Sequence, residues 1–395
     1  MTLKSIFPAA EAMGGVLSAF FGIVIITGFL QCLNEVLRRN NDLFIRSFLL
    51  FLVIYTVSGI LIISRGEPVD VMLRHRALLT FAWWIPCGIY AVSVHNKEIL
   101  YEVWVKASYL ISICCILIYY FHVPNNDIGA NEYNMAFGFQ LILPLLFQIN
   151  ELYRKSRWWL WLLVLYEIFL LIVYGNRGVL LSLIFYVVYK FAFESNSRIR
   201  KIISLFILGI ASFLLLANIE TIAVTAVNVL DMFNFESRTL DLLATGAIDD
   251  TSGRDELWII SYEMIEKHPL TGWGLGGESY YLAQRWMGTT KLDDIFSYTP
   301  HNGIVQNFVN FGILGGIVAS WIVIYPLFHL KKHKDVSTHN LILIFLSAYV
   351  IPAYVSASGF FITPAVAICL YLFYCSNKEN SKDKQIKKGI IGIRI

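Results

Sequence analysis

Three residues have the types and settings for chemistry on a phosphorylated substrate that carries hydroxyl groups: Arg177, Arg254 and His301. Arg177 stands in Tyr174-Gly175-Asn176-Arg177-Gly178, where two apolar runs turn at a membrane–water boundary. Its planar guanidinium fork matches phosphate oxygens, and the flanking glycines let a bulky ligand approach the backbone. The plainer reading is an arginine that snorkels to lipid phosphate. Arg254 opens a short stretch of helical spacing, and the free N–H groups of a helix start favour an anion. Asp255 and Glu256 beside it compete for the same guanidinium, so a structural salt bridge is the alternative. His301 lies in Pro300-His301-Asn302-Gly303, at the entrance to a new apolar run. With an ordinary pKa of about 6.5 it can take a proton from a hydroxyl nucleophile at neutral pH, although an isolated histidine is more often structural. Asn302 adds a hydrogen-bonding amide, and Tyr280, Tyr281 and Trp286 offer flat faces for stacking on sugars.

Other chemistries find less support. Asp249-Asp250 and Asp293-Asp294 invite thoughts of a divalent cation, but paired acids in a loop are usually solvated, and no metal is expected. Gly272-x-Gly274-x-Gly276-Gly277 follows no strand and opens no βαβ unit, so it is no nucleotide loop. The cysteines (Cys32, Cys87, Cys114, Cys115, Cys369 and Cys375) lie in or beside apolar runs without metal spacing and form no disulfide framework. No cofactor and no nucleic-acid partner are expected.

The elements that must hold these residues are membrane helices. Only 15% of the 395 residues are charged, 57% are hydrophobic, and the mean hydropathy is +0.63. A soluble domain carries about 25% charged residues. Continuous apolar runs, each able to cross the ~30 Å hydrocarbon layer, exclude a β-barrel. The fold class is therefore all-α, a polytopic membrane protein with about 11–12 spans. Spans are expected near 14–33, 45–64, 77–95, 104–122, 134–150, 157–174, 177–194, 201–228, 303–328, 338–356 and 359–375. Trp83, Trp84, Trp158 and Trp159, near span ends, read as an interfacial belt.

Basic clusters set the orientation. Arg38, Arg39 and Arg46, then Arg154, Lys155 and Arg157, then Arg198, Arg200 and Lys201, then Lys331, Lys332 and Lys334 fall on the cytoplasmic side. Alternate connections then face outward, among them 124–132, which holds no Lys or Arg. Ile63 to Arg76 dissents: it belongs outside by alternation yet carries Arg65, Arg74 and Arg76. Eleven spans also put the N-terminus outside; one further or re-entrant helix there would restore an even number. The resulting organisation is a helix bundle over 1–230, an external loop over 231–301, further spans over 302–376 and a basic cytoplasmic tail over 377–395.

The external loop is acidic, with twelve Asp/Glu against five Lys/Arg from Asp231 to Asp294. Within it, Asp255 to Lys267 has helical spacing, with Leu257, Ile260, Met264 and Ile265 along one stripe. Ser252 is a plausible N-cap, Pro269 stops the helix, and the Gly272–Gly277 segment reads as a turn. Such a short, polar helix is expected at the membrane surface.

In order and context these motifs resemble the bacterial O-antigen polymerase and ligase superfamily. The resemblance rests on Gly-Asn-Arg-Gly (Gly175 to Gly178), Ser-Gly-Arg with a downstream Trp (Ser252 to Arg254, Trp258) and His-Pro-Leu-x-Gly-x-Gly (His268 to Gly274). It extends to Pro-His-Asn (Pro300 to Asn302) and Asn-Phe-Gly-Ile-Leu-Gly-Gly (Asn310 to Gly316), and covers roughly residues 130–320. It implies a metal-independent membrane glycosyltransferase whose donor is a glycan on undecaprenyl diphosphate, acting at the periplasmic face of the inner membrane. By that resemblance Arg177 and Arg254 bind the diphosphate and His301 activates the acceptor hydroxyl of a second glycan or lipid-linked glycan. Membrane lipid and a chain-length regulator protein are the further partners it implies. The wording of the motifs looks closer to polymerases, which join lipid-linked repeat units, than to ligases, which transfer the finished chain to lipid A-core. A transporter or flippase is the alternative from another class, and Glu167 is its one charged residue well inside a span.

Overall fold

A computed structural model describes residues 15–122, 135–155, 157–174, 177–190, 202, 218–232, 238–245, 254–288, 298–330, 335–355 and 363–375. Among them every regular element is helical, so the chain is an all-α, polytopic membrane protein. In chain order the α-helices are α1 (Gly15–Ser64), α2 (Ile85–Ser93), α3 (Lys97–His122), α4 (Met135–Arg154), α5 (Trp158–Tyr174), α6 (Arg177–Val188), α7 (Ile219–Asp231) and α8 (Arg238–Ala244). Then come α9 (Arg254–Lys267), α10 (Gly277–Met287), α11 (Gly303–His329), α12 (Val336–Phe345), α13 (Ile351–Val355) and α14 (Pro364–Cys375). π-Helical turns at Met72–Ala77 and Thr80–Trp84 lead into α2, and another at Leu346–Val350 joins α12 to α13.

Among the described residues, three helical runs are long and apolar enough to cross a membrane: Ile26–Ser64, Gly303–His329 and Val336–Tyr354. Shorter apolar helices at Trp158–Ile172, Gly178–Val188, Glu220–Val229 and Pro364–Cys375 occupy positions expected for further spans. The first two expected spans form one helical run, α1, broken at Asn40 (φ −134°, ψ 39°) in the polar Arg38-Arg39-Asn40-Asn41 stretch. Arg39 there pairs with Glu35 and donates to the Ser93 carbonyl, while Asn40 donates to the Ser93 hydroxyl.

The chain divides into two compact units, 1–24 with 101–251 and 25–100 with 252–395. In the first, α3 lies along α4. Asn150 donates to the Tyr101 hydroxyl (2.6 Å), Arg154 stacks on the same ring, and Trp104 lies parallel to Phe147. Gln148 donates to Ser112 (2.6 Å), and Glu167 of α5 is fully buried. In the second unit Trp84 is buried, edge-on to Phe51 and Tyr371, a core residue rather than part of an interfacial belt. Trp158, by contrast, is 76% exposed, as the belt reading expects.

Candidate functional site

The site is built in the second unit from α9, the turn after it, α10 and the start of α11. The stripe read from spacing is real: Leu257, Ile260 and Met264 are buried, with Ile265 packed beside them. They form one apolar cluster with Trp273, Leu282 and Val309. A helix of only 14 residues needs that packing to persist. Pro269 follows its end, as expected.

The chain after α9 then inserts into α11. Gly312 has φ +70°, ψ −173°, which breaks that helix and removes the usual partners of its neighbouring backbone groups. The turn supplies replacements. Trp273 N–H donates to the Val309 carbonyl (2.7 Å), Gly274 N–H to Asn310 (2.9 Å), and Ile313 N–H to Pro269 (2.7 Å). This satisfies groups whose exposure in an apolar setting is costly. The approach is so close that a Cβ at Gly272 would lie 2.4 Å from the Asn310 oxygen, and one at Gly312 2.7 Å from Leu270 and Pro269. The two glycine-containing motifs, His268–Gly274 and Asn310–Gly316, are therefore two halves of one backbone junction.

His301 sits at the far end of the same assembly. Trp258, one turn into α9, donates its indole N–H to the Pro300 carbonyl (2.8 Å). Asn302 caps α11, its side-chain oxygen accepting from Ile304 N–H (3.0 Å) and Val305 N–H (3.1 Å). Between these anchors His301 adopts φ +52°, among the described residues the sole non-glycine in the left-handed region. Such a conformation persists only where the surroundings hold it, and it clusters at functional sites. The first turns of α9 and the stretch that carries His301 are thus tied together through Trp258 and Pro300.

Two of the three dissenting arginines, Arg65 and Arg76, are held inside the protein here. Arg65, just past α1, donates to the carbonyls of Gly272 (2.6 Å) and Trp273 (2.9 Å) and covers the Trp273 ring. Arg76 is buried against Glu278 (3.4 Å) and Ser279 (3.3 Å). Arg65 and Arg76 therefore lie at the same end of the unit as the turn. Arg65 and Arg76 are internal ligands of the loop, whereas Arg74 is exposed beside Asp70 (3.7 Å). Burial raises the Glu67 carboxyl to about 7, with Arg65 opposing and Glu278 reinforcing the shift. His268 is pushed down, first by burial and then by the positive Arg65 and Lys267.

The remaining sequence candidates are placed as follows. Tyr280, Tyr281 and Trp286 lie on α10, a helix that the Gly-rich run hid. Tyr281 packs on Trp273 (4.7 Å) under Lys267, and Trp286 donates to Glu256 (2.8 Å) and meets Tyr298 edge-on. Tyr280 packs beside Val71 and Ala283. Asn302 is committed to its cap. Arg177 opens α6 in the other unit. Ser252, Gly253, Gly175, Asn176, both Asp pairs, the basic clusters at 198–201 and 331–334, the 124–132 connection and the 377–395 tail lie outside the described residues. Sequence reading missed Trp258 as an anchor of Pro300, and Glu278 and Gln306 altogether. The arginines at 65 and 76, out of place by the charge rule, were the available signal.

Residues 160–320 match a family model described as O-antigen ligase. The matched stretch holds Arg177, Arg254, Trp258, the Gly272–Gly277 turn, His301 and the break at Gly312. It supports the superfamily that the motifs resemble. No curated protein matches the chain.

Proposed function

We propose that the 160–320 region, a domain of the O-antigen polymerase and ligase superfamily, makes this chain a polymerase that joins lipid-linked oligosaccharide repeat units. The observation that carries the reading is His301, set in a strained conformation between Pro300, tied to Trp258, and the Asn302 cap. In the mechanism we favour, an acceptor hydroxyl attacks the anomeric carbon of the donor glycan and its proton passes to His301. The bond from that carbon to the diphosphate oxygen breaks, and undecaprenyl diphosphate leaves with the electron pair. Arg254 at the start of α9 offsets the charge on the leaving group, and Arg177 is assigned the same kind of contact on its motif alone. A single displacement inverts the anomeric centre. We place the reaction at the periplasmic face of the inner membrane, since the acidic loop faces outward by the charge rule.

The family's description favours a second reading, ligation of a finished glycan to lipid A-core. Surface polysaccharide on a silver-stained gel separates the two. A deletion strain showing core plus one repeat unit, unrescued by His301→Ala, is the expected result. Bare core, with long chains still accumulating on undecaprenyl diphosphate, would mean ligase. A normal ladder from His301→Ala, Arg254→Ala and Arg177→Ala alike would overturn both.

A further inference from the structure

Beneath the turn lies a carboxylate with no role in the chemistry just described. Glu278 is fully buried, and its two oxygens collect donors from three separate stretches of chain. Oε2 accepts from Gly276 N–H (2.7 Å), at the glycine that opens α10. Oε1 accepts from the Gln306 amide (2.9 Å) and from Arg76 Nη2 (3.4 Å). Gln306 is itself 5% exposed, and its backbone N–H donates to the Asn302 carbonyl (2.9 Å). One short path therefore runs from Arg76 through Glu278 and Gln306 to Asn302, the residue after His301. A buried, charged hub is a costly way to add stability, because both ions lose their hydration. Its better-attested use is to fix one arrangement among several.

We propose that Glu278 is a positioning residue which, through Gln306, fixes the first turn of α11 and so the direction of the His301 imidazole. The proposal rests on the reading of His301 as general base. Displacing such a base by a fraction of an ångström slows the proton transfer and leaves donor binding almost untouched.

The test uses the full-length protein in detergent, with two readouts. The first is transfer between lipid-linked repeat units, resolved into kcat and donor KM. The second is amide exchange over residues 298–306 without substrate. Gln306→Leu cuts the path while leaving Glu278 its bonds to Gly276 and Arg76. It is expected to lower kcat roughly tenfold with KM changed less than about twofold, and to speed exchange at 302–306. Glu278→Gln keeps an oxygen for Gly276 but turns an N–H toward Gln306 and removes the counter-charge of Arg76, so it is expected to lower kcat as Gln306→Leu does, with KM again changed little. Wild-type kcat and wild-type exchange in Gln306→Leu would overturn the proposal, as would a matched rise in KM with no change in kcat. Should the parent protein transfer nothing, the functional reading fails by itself, and the exchange comparison still decides whether Gln306 fixes the loop.

Discussion

Each unit buries a glutamate beyond the reach of water, and the two are treated in opposite ways. Glu278, in the loop-bearing unit, has a donor for each oxygen and an arginine beside it. Glu167, in the other unit, lies beside the Ser112–Gln148 bond, yet neither of its oxygens has a hydrogen-bond partner among the described residues. Burying a carboxyl group without donors is unfavourable enough that a group so placed is kept only for some task that needs it. A carboxylate with three donors is part of a frame. The contrast shows where this molecule has invested in fixed geometry: under the His301 loop.

The sharpest way to break that comparison is to truncate both. Glu278→Ala leaves Arg76 buried without its counter-charge, and is expected to cost about 3–5 kcal/mol of stability. Glu167→Gln loses no partner and is expected to stay within about 1 kcal/mol of the parent. Thermal unfolding in one detergent measures both; equal losses would erase the distinction. If Glu167 serves transport rather than structure, Glu167→Gln would abolish surface glycan while stability holds, which would revive the flippase reading.

The junction at Gly312 sharpens it further. Alanine there would need φ +70° and would place its Cβ 2.7 Å from the Pro269 and Leu270 backbone, which is rigidly held. The expected cost is about 1–3 kcal/mol, with loss of glycan transfer because the turn can no longer seat. Gly28, in α1, meets nothing within 4 Å, so Gly28→Ala is expected to be neutral or to stabilise by up to about 1 kcal/mol. Comparable melting temperatures for the two variants would contradict the close approach described here.

Much of this frame was legible in the sequence, for definite reasons. The stripe Leu257, Ile260 and Met264 announced itself because one helix face meets one core, which leaves a period in the chain. The turn at Gly272 to Gly276 was legible because left-handed φ values select glycine. What the turn docks into was not. The bonds from Trp273 to Val309 and from Gly274 to Asn310 are backbone to backbone across more than thirty residues, and such pairs leave no periodic trace. α10 escaped because Gly276 and Gly277 read as loop and the helix behind them balances polar against apolar residues. Arg65 and Arg76 dissent from the orientation rule for a physical reason. It counts arginines that face lipid headgroups and water, whereas these face carbonyls and a carboxylate within the protein. Arg65→Lys tests that account directly. A lysine has no planar fork to match the Gly272 and Trp273 carbonyls and no flat guanidinium to cover the Trp273 ring, so a loss of about 1–2 kcal/mol is expected, with insertion unaltered. A charge placed there only to direct topology would tolerate lysine without loss.

The smallest effect expected concerns pH. Glu67, beside Glu278 and under the Gly277 turn, has its carboxyl raised from 4.5 to about 7 in the folded protein. The folded state therefore binds this proton more tightly than the unfolded chain does. Its contribution to stability is complete below 4.5 and is lost as pH rises to about 7, beyond which it stays lost. His268 acts in the other direction. Its pKa is depressed, so its contribution is present above 6.5 and falls away as pH drops through the folded value. The two slopes oppose each other, and the unfolding temperature of the parent is expected to vary little across the acid-to-neutral range. Glu67→Gln removes one slope and keeps the shape of the side chain. The variant is then expected to gain relative to the parent as pH rises toward 7, and to lose stability on acidification through His268 alone. A Glu67→Gln profile parallel to that of the parent from pH 4.5 to 7 would show that this carboxyl is solvated, and that the buried frame stops at Glu278.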